Sequence, residues 1–388
     1  MLRKGIGIFC IVSLLCLVIL LACGEDSPLA PPPGDTTLIE GQNIFRFDTF
    51  GDETFWTDTL QMHVVIRSSV SPVTALSVGL KVDALRLPEG FPTGFDLNSP
   101  ATTVELLRRD AVVGLKGTVE GTTLTKVGVT CALCHSTVDN SVMAGIGQRL
   151  DGWANRDLNP GAILALSPAL QDPATQTVLQ SWGPGKYDAR WNHDGLNGPV
   201  LIPPAYGLRG VNLATYTGEG SIPYWNAYVA VTQMHGHGTF VDPRTGDNIH
   251  WPDDLVTSKL PALHAYQLSL EPPSPPAGSF NSLMAERGQA LFNGQAQCAT
   301  CHVPPLFTDA GFGLHDPGET CSDPMLAGRG STDKYRTTPL RGLWHRPPYY
   351  HDGSLPTLQA VVEHYNSCRT LGLTPEQQAD LVEYLKSL

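Results

Sequence analysis

Four cysteines and two histidines in this chain are spaced for one kind of chemistry. Cys131-Ala-Leu-Cys134-His135 and Cys298-Ala-Thr-Cys301-His302 each place two thiols three residues apart with a histidine directly behind them. Thiols at that spacing can form thioether bonds to the two vinyl groups of a haem, and the adjacent imidazole then lies under the iron as its proximal ligand. A Cys-x-x-Cys pair alone would also suit a thioredoxin-like redox centre or half of a zinc site. Here a histidine follows each second cysteine at once, and no further Cys-x-x-Cys exists to complete a four-cysteine cluster. The expectation is two covalently bound haem c groups, with His135 and His302 as metal ligands.

The N-terminus points to the compartment. Arg3 and Lys4 precede an apolar run from Ile6 to Leu21 that ends in Leu20-Leu21-Ala22-Cys23. A basic start, an apolar stretch and a small residue before cysteine resemble a bacterial lipoprotein signal, with an uncleaved membrane anchor as the alternative. Cleavage would leave residues 1–22 as signal peptide, Cys23 as the lipidated residue, and 23–36, rich in Pro and Gly, as an extended tether. The body would then be exported and lipid-anchored on the periplasmic side of the cell envelope, at the outer membrane because the residue after Cys23 is not Asp. Of the nine cysteines, Cys10 and Cys16 would leave with the signal. Only Cys321 and Cys368 then remain, as a disulfide or as two free thiols.

The chain carries 25 basic and 37 acidic residues, two of the basic ones in the expected signal. An acidic protein does not favour nucleic acid and fits a basic or neutral redox partner protein or a small electron donor. Its length allows two domains with their own cores. The segment 271–278, Glu-Pro-Pro-Ser-Pro-Pro-Ala-Gly, is stiff and cannot continue a helix, so it is the expected linker between an N-terminal haem domain at 37–270 and a C-terminal one at 279–388.

The expected fold is mainly α and loop-rich, with two cytochrome c-like haem domains, a short β-hairpin and an N-terminal extension. Phe280 to Phe292 has helix-forming composition and stops at Asn293-Gly294. Thr374-Pro375-Glu376-Gln377 reads as a capping box that opens a last helix with Leu381, Val382, Leu385 and Leu388 on one face. Phe55 to Ile66 and Thr103 to Val113 also read as helical. Gly117 to Thr130 reads as a hairpin turning at Glu120-Gly121, and Asp139 to Arg190 as long loops. No function follows for the first hundred residues after Cys23.

An internal repeat links the halves. Leu208-Arg209-Gly210 matches Leu340-Arg341-Gly342, and the stretch from Gly220-Ser-Ile-Pro to Val229 matches Gly353-Ser-Leu-Pro to Val362. The order of haem motif, Leu-Arg-Gly and Gly-Ser-x-Pro holds in both.

From the second haem motif onward, Tyr335-Arg-Thr-Thr-Pro-Leu-Arg-Gly342, Arg346-Pro-Pro-Tyr-Tyr-His-Asp-Gly-Ser354 and Thr357-Leu-Gln-Ala-Val-Val-Glu-His-Tyr365 resemble the C-terminal half of bacterial dihaem cytochrome c peroxidases and MauG proteins. The first half resembles them only in its haem motif and the degenerate repeat. The resemblance implies that Tyr365 is the distal ligand of the C-terminal haem, with Met325, His345, His351 and His364 as other candidates. An anionic phenolate there would lower the iron potential relative to a Met ligand. It places His193 as a distal ligand in the first half, or as a plain loop histidine. It also implies a calcium ion held partly by the carbonyls of Arg346 and Pro348. One of Trp153, Trp182, Trp191, Trp225 and Trp344 would stand between the haems, though packing is the commoner role of such residues.

Peroxide cleavage needs an open iron and a group that carries a proton between the two oxygens, supplied in that family by a Glu before a Met. The counterpart is Gln233-Met234, followed by His235-Gly-His237. A glutamine cannot carry a proton in that way, so His235 or His237 would have to. The functional expectation is an exported dihaem oxidoreductase of the peroxidase type, acting on hydrogen peroxide. The alternative is a pure electron-transfer lipoprotein with both haems six-coordinate.

Overall fold

In the computed structural model, which describes residues 34–311 and 313–388, two pairs of crossed helices organise the chain. The expected signal peptide, Cys23 and most of the 23–36 tether lie outside the described residues. One pair is Asp35–Phe47 with Leu260–Ser269, and the other is Ser282–Asn293 with Pro375–Ser387. Each pair crosses at a glycine where a side chain has no room. A Cβ on Gly41 would lie 2.1 Å from the Ala262 carbonyl oxygen, and one on Gly288 would lie 2.1 Å from that of Asp380. One turn on, Phe45 meets Tyr266 with ring centroids 5.6 Å apart, and Phe292 meets Tyr384 at 5.2 Å. Both phenylalanines are fully buried, which is worth about 1.5–3 kcal/mol each. The shared sequence behind this is Gly-Gln-x-x-Phe, at Gly41 to Phe45 and again at Gly288 to Phe292.

That duplication corrects the expected N-terminal extension. The helix Asp35–Phe47 is the counterpart of Ser282–Asn293, so the extra chain is an insertion within the first half, between this helix and Cys131. The insertion packs with the chain beyond Cys134 into one core, around Leu60, Ile66, Leu107, Leu124, Ile146 and Leu158. A second core joins Phe45, Phe50, Ala132, Val231, Met234 and Tyr266. The third, around Phe292, Leu343, Leu358, Leu381 and Leu385, lies in the C-terminal part.

Helices predominate, as expected, and the strands are short and paired only in twos among the described residues. The expected hairpin forms from Leu115–Glu120 and Thr123–Val129. It delivers the chain into the first haem motif, where Gly114, at φ +80°, abuts the Leu133 backbone so closely that a Cβ would sit 2.1 Å from the Leu133 Cα. The capping box at Thr374 and Gln377 and the helix end at Gly294 form as read. The stretch 271–278 is irregular chain, and the Trp344 indole donates to the Pro273 carbonyl at 3.3 Å.

Three readings need correction. The helix expected over 55–66 is two: a π-helical turn at Thr54–Thr59, then Met62–Ser69, separated by Gln61 at φ +55°. The helix expected over 103–113 is Pro100–Arg108 and ends before the apolar Ala111 to Val113, which join the cores instead. Within 139–190, expected as loops, a nine-residue helix Pro173–Ser181 forms, capped by the Asp172 side chain with Pro at its first position.

Candidate haem-binding sites

The two Cys-x-x-Cys-His segments hold their histidines identically. His135 Nδ1 stands 3.0 Å from the Pro203 carbonyl oxygen, and His302 Nδ1 stands 3.1 Å from that of Phe307. A carbonyl can only accept, so Nδ1 is the protonated nitrogen in both rings and Nε2 keeps its lone pair for a metal. Burial holds both imidazoles below the ordinary histidine range, which keeps them neutral as a ligand must be. The four cysteines of the motifs carry free thiols. Burial pushes Cys131 and Cys134 up to about 12 and Cys298 to about 11. Cys321 and Cys368, for which two states were open, form a disulfide.

The second motif opens on a cavity of about 440 Å³. Cys298, Cys301 and His302 line one part, and Phe292, Leu343, Leu358, Val362, Leu381 and Leu385 supply apolar wall. Three guanidinium groups, Arg156, Arg336 and Arg346, share the lining. Arg336 and Arg346 are buried, at 8% and 6% exposure, and burial lowers Arg336 to about 10. Nε of all three, and Nη1 of Arg156, lack a hydrogen-bond partner among the described residues. Arg336 and Arg346 each donate once, to the Leu213 and Pro339 carbonyls at 2.6 Å, but no carboxylate pairs with any of the three among the described residues. A buried cation without a counter-charge costs roughly several kcal/mol, so the cavity calls for an anionic occupant. A haem fits: an apolar macrocycle for the wall, two vinyl groups for the thiols, an iron for His302 and two propionates for the arginines. A divalent cation fits less well, because Arg346 and Pro348, whose carbonyls were expected to hold calcium, line the cavity beside these guanidinium groups.

Of the candidate distal ligands, Tyr365 and His351 line the cavity. His351 Nε2 is engaged 3.1 Å from Asp323 Oδ2. His364 Nε2 donates to the Cys321 carbonyl at 2.8 Å, His345 Nε2 pairs with the Tyr206 hydroxyl at 2.8 Å, and Met325 is 52% exposed. Tyr365 is therefore the candidate that both lines the cavity and is not held by a carboxylate. Burial pushes its phenol up, so it is neutral unless a cation enters the cavity.

The first site is built differently. In the repeat that pairs Val229 with Val362, Tyr365 corresponds to Thr232. The Thr232 hydroxyl is buried and donates to the Tyr228 carbonyl at 2.7 Å, so it offers no ligand. The segment around it is a π-helical turn, Val229–Gln233, with the Met234 amide donating to the Val229 carbonyl at 2.8 Å. Such turns concentrate at functional sites. Gln233 is committed on both ends: it accepts from the Tyr187 hydroxyl at 2.9 Å and donates to Thr232 Oγ1 and Asn192 Oδ1 at 3.0 and 3.1 Å. Tyr187 packs on the same core as Cys134.

The two histidines after Gln233 part company. His235, at φ +64°, stacks on Phe55 with centroids 3.7 Å apart, whereas His237 stacks on Trp251 at 4.0 Å and faces Thr54 Oγ1 at 3.1 Å. His193 lies 3.7 Å from Asp247 and stacks against Tyr228 at 5.7 Å. His235 is held below the ordinary range, first by burial and then by the charge of His193. Among the tryptophans, Trp153 follows Gly152, whose amide donates to the His135 carbonyl, and stacks on His345 at 4.0 Å. It thus connects the first motif to the C-terminal part.

Sequence reasoning missed the three arginines and Phe55. The arginines were present in the quoted motifs or close to the first one, but their partner is not a protein group. Phe55 sits in the insertion, where no repeat guides the reading.

The sequence profile of the RoxA-like, cytochrome c-like family matches residues 334–369, the stretch from Lys334 through Arg336, Arg346 and Tyr365. The cytochrome-c peroxidase IdrP1 of Denitromonas iodatirespirans is 31% identical over 152 residues, covering 28% of this chain and 40% of that one. The methylamine utilization protein MauG of Methylorubrum extorquens is 33% identical over 122 residues, covering 27% of this chain and 34% of its own. The chain thus spans less than half the length of either relative. A crystal structure of a MauG-like protein associated with microbial copper homeostasis aligns over 50% of this chain and 74% of that one, at 19% identity and a TM-score of 0.36. Over about a quarter of its length, the chain is a relative of the bacterial cytochrome c peroxidase and MauG proteins.

Proposed function

We propose that the chain is an exported dihaem c-type cytochrome, and that it works as a peroxidase-type oxidoreductase with unlike haems in its two halves. Cys131, Cys134 and His135 hold the first haem, and Cys298, Cys301 and His302 the second. The observation that carries the difference is the substitution of Thr232, bonded back to its own helix, for Tyr365 in the repeat. Among the residues described, the first half would offer its haem His135 with His193 or His235 as a further donor, while the second would offer His302 and Tyr365. Bound haem iron stores electrons and, where one coordination position is free, binds peroxide.

The protein's own groups do the rest. The arginines neutralise the propionates of the second haem. Trp153 stacks where charge would pass between the halves. His235 is the group beside the first site able to take up and release a proton, since Gln233 is an amide. The chain would face the periplasm on a lipidated Cys23 and take electrons from a redox protein or small donor.

The fixed hydrogen bonds of Gln233 support a second reading, an electron carrier without turnover, in which His193 or His235 closes the first haem. Haem quantitation tests the foundation of both. Two haems per chain are expected, falling to one when either cysteine pair becomes alanine; none or one in the unaltered chain would overturn the proposal. Adding peroxide to the half-reduced protein then separates the readings: a spectral change at the first haem marks the peroxidase, and no change marks the carrier.

A further inference from the structure

Three successive carbonyls, Glu319, Thr320 and Cys321, are fastened to the Tyr365 helix and the loop beside it. Arg369 Nη1 donates to Glu319 O at 2.8 Å, the Tyr350 hydroxyl to Thr320 O at 3.2 Å, and His364 Nε2 to Cys321 O at 2.8 Å. The Cys321–Cys368 disulfide adds a covalent tie to the end of the helix Leu358–Cys368. One of these three donors, Tyr350, stands out. It holds a left-handed backbone at φ +69°, a conformation that an aromatic residue adopts only where its surroundings impose it. Its ring lies 6.0 Å from that of Tyr365 and 5.2 Å from that of His364, and both tyrosines line the haem cavity.

A hydroxyl has one proton to give; Tyr350 gives it to the Thr320 carbonyl, and the oxygen on the adjoining Tyr365 ring would be the competing acceptor. While Tyr365 is a neutral phenol, the Thr320 carbonyl is the better one. Once the Tyr365 oxygen carries negative charge, the ranking reverses, because hydrogen bonds to ionised acceptors are roughly twice as strong as neutral ones.

We propose that Tyr350 is a positioning residue for Tyr365: it rests on the Thr320 carbonyl and turns its hydroxyl proton to the Tyr365 oxygen when that oxygen is an iron-bound phenolate. The disulfide-tied segment fixes the distance over which it turns. This rests on the reading of Tyr365 as the distal ligand. A donor to the phenolate draws electron density from it, so Tyr350 sets the iron potential of the second haem above that of an unassisted phenolate.

The test is redox titration and visible spectroscopy of the holo-protein in three forms: Tyr350→Phe, Tyr350 replaced by 3-fluorotyrosine, and Tyr365→Phe. Tyr350→Phe is expected to lower the midpoint potential of the second haem alone and to move its phenolate-to-iron charge-transfer band to longer wavelength. Fluorotyrosine, a stronger donor of nearly the same shape, is expected to shift both the other way, and it decides the matter if Tyr350→Phe fails to fold. A potential and band unchanged in the Tyr350 forms, while Tyr365→Phe alters the spectrum, would overturn the positioning role and leave the ligand standing. A spectrum unmoved by Tyr365→Phe would instead remove the ligand reading itself.

Discussion

The two haem motifs share a scaffold and part ways above it. Each half crosses two helices at a glycine, buries a phenylalanine one turn on, and pins a histidine by its Nδ1 to a carbonyl. Beyond the histidine, the second site presents an apolar cavity with unpaired arginines and a tyrosine. The first presents a buried threonine, a hydrogen-bonded glutamine and a histidine stacked on Phe55. The histidine side is thus common to both halves, and the two differ in what lies beyond it. Phe55 comes from the inserted segment, so the insertion itself shapes the first site.

The sharpest break is at the attachment points. Cys298→Ala with Cys301→Ala is expected to remove one haem and leave the second cavity's arginines without an anion, so folded protein falls further than with the Cys131 and Cys134 pair. Equal losses in a thermal-unfolding comparison would contradict the asymmetry. Next in size, Arg336→Ala in the holo-protein is expected to destabilise by about 2–4 kcal/mol by leaving a buried propionate unpaired. The same change in the Cys298→Ala, Cys301→Ala background, which would hold no haem there, should cost far less, and equal effects in chemical denaturation would refute propionate binding.

Phe55→Ala sharpens the contrast from the other side. Losing the stack is expected to cost about 1–2 kcal/mol and to perturb the spectrum of the first haem only. A change confined to the second haem would break the assignment of the insertion to the first site.

A separate effect belongs to Asp52, a fully buried carboxyl in the insertion whose oxygens accept the Val129 amide at 3.2 and 3.3 Å. Burial raises it to about 9. An unfolded chain releases this proton near pH 4, roughly, while the folded one keeps it until pH 9. The folded state therefore binds more protons across that window, and stability falls as pH rises. Asp52→Asn should flatten this slope and stabilise the protein at pH 8 by roughly 1 kcal/mol or more. An unchanged slope in urea denaturation would show that Asp52 is ionised in the fold.

Much of the scaffold was legible because local signals agreed with the outcome. The Thr374 capping box, the Gly294 stop and the Glu120-Gly121 hairpin all formed as read. The break at Leu60 and Gln61 was not legible, because the periodicity runs on through it and only packing against the Met234 loop interrupts it, with the Trp56 indole donating to the Met234 carbonyl. The helix Pro173–Ser181 carried its Asp-Pro start signal, but surrounding Pro, Gly and Asn masked it. The Gly-Gln-x-x-Phe repeat was present and overlooked, since its copies lie far from one haem motif and close to the other. The arginines' role could not be read from residues, because among the described residues no carboxylate pairs with them.

Low-temperature EPR of the holo-protein, oxidised and then reduced by one electron, tests the difference between the halves most directly. The account predicts a high-spin ferric signal from the first haem that disappears on adding peroxide, beside a low-spin signal from a tyrosine-ligated second haem. Low-spin signals alone in both states would show both irons saturated, and would contradict the proposed division of labour between the two sites.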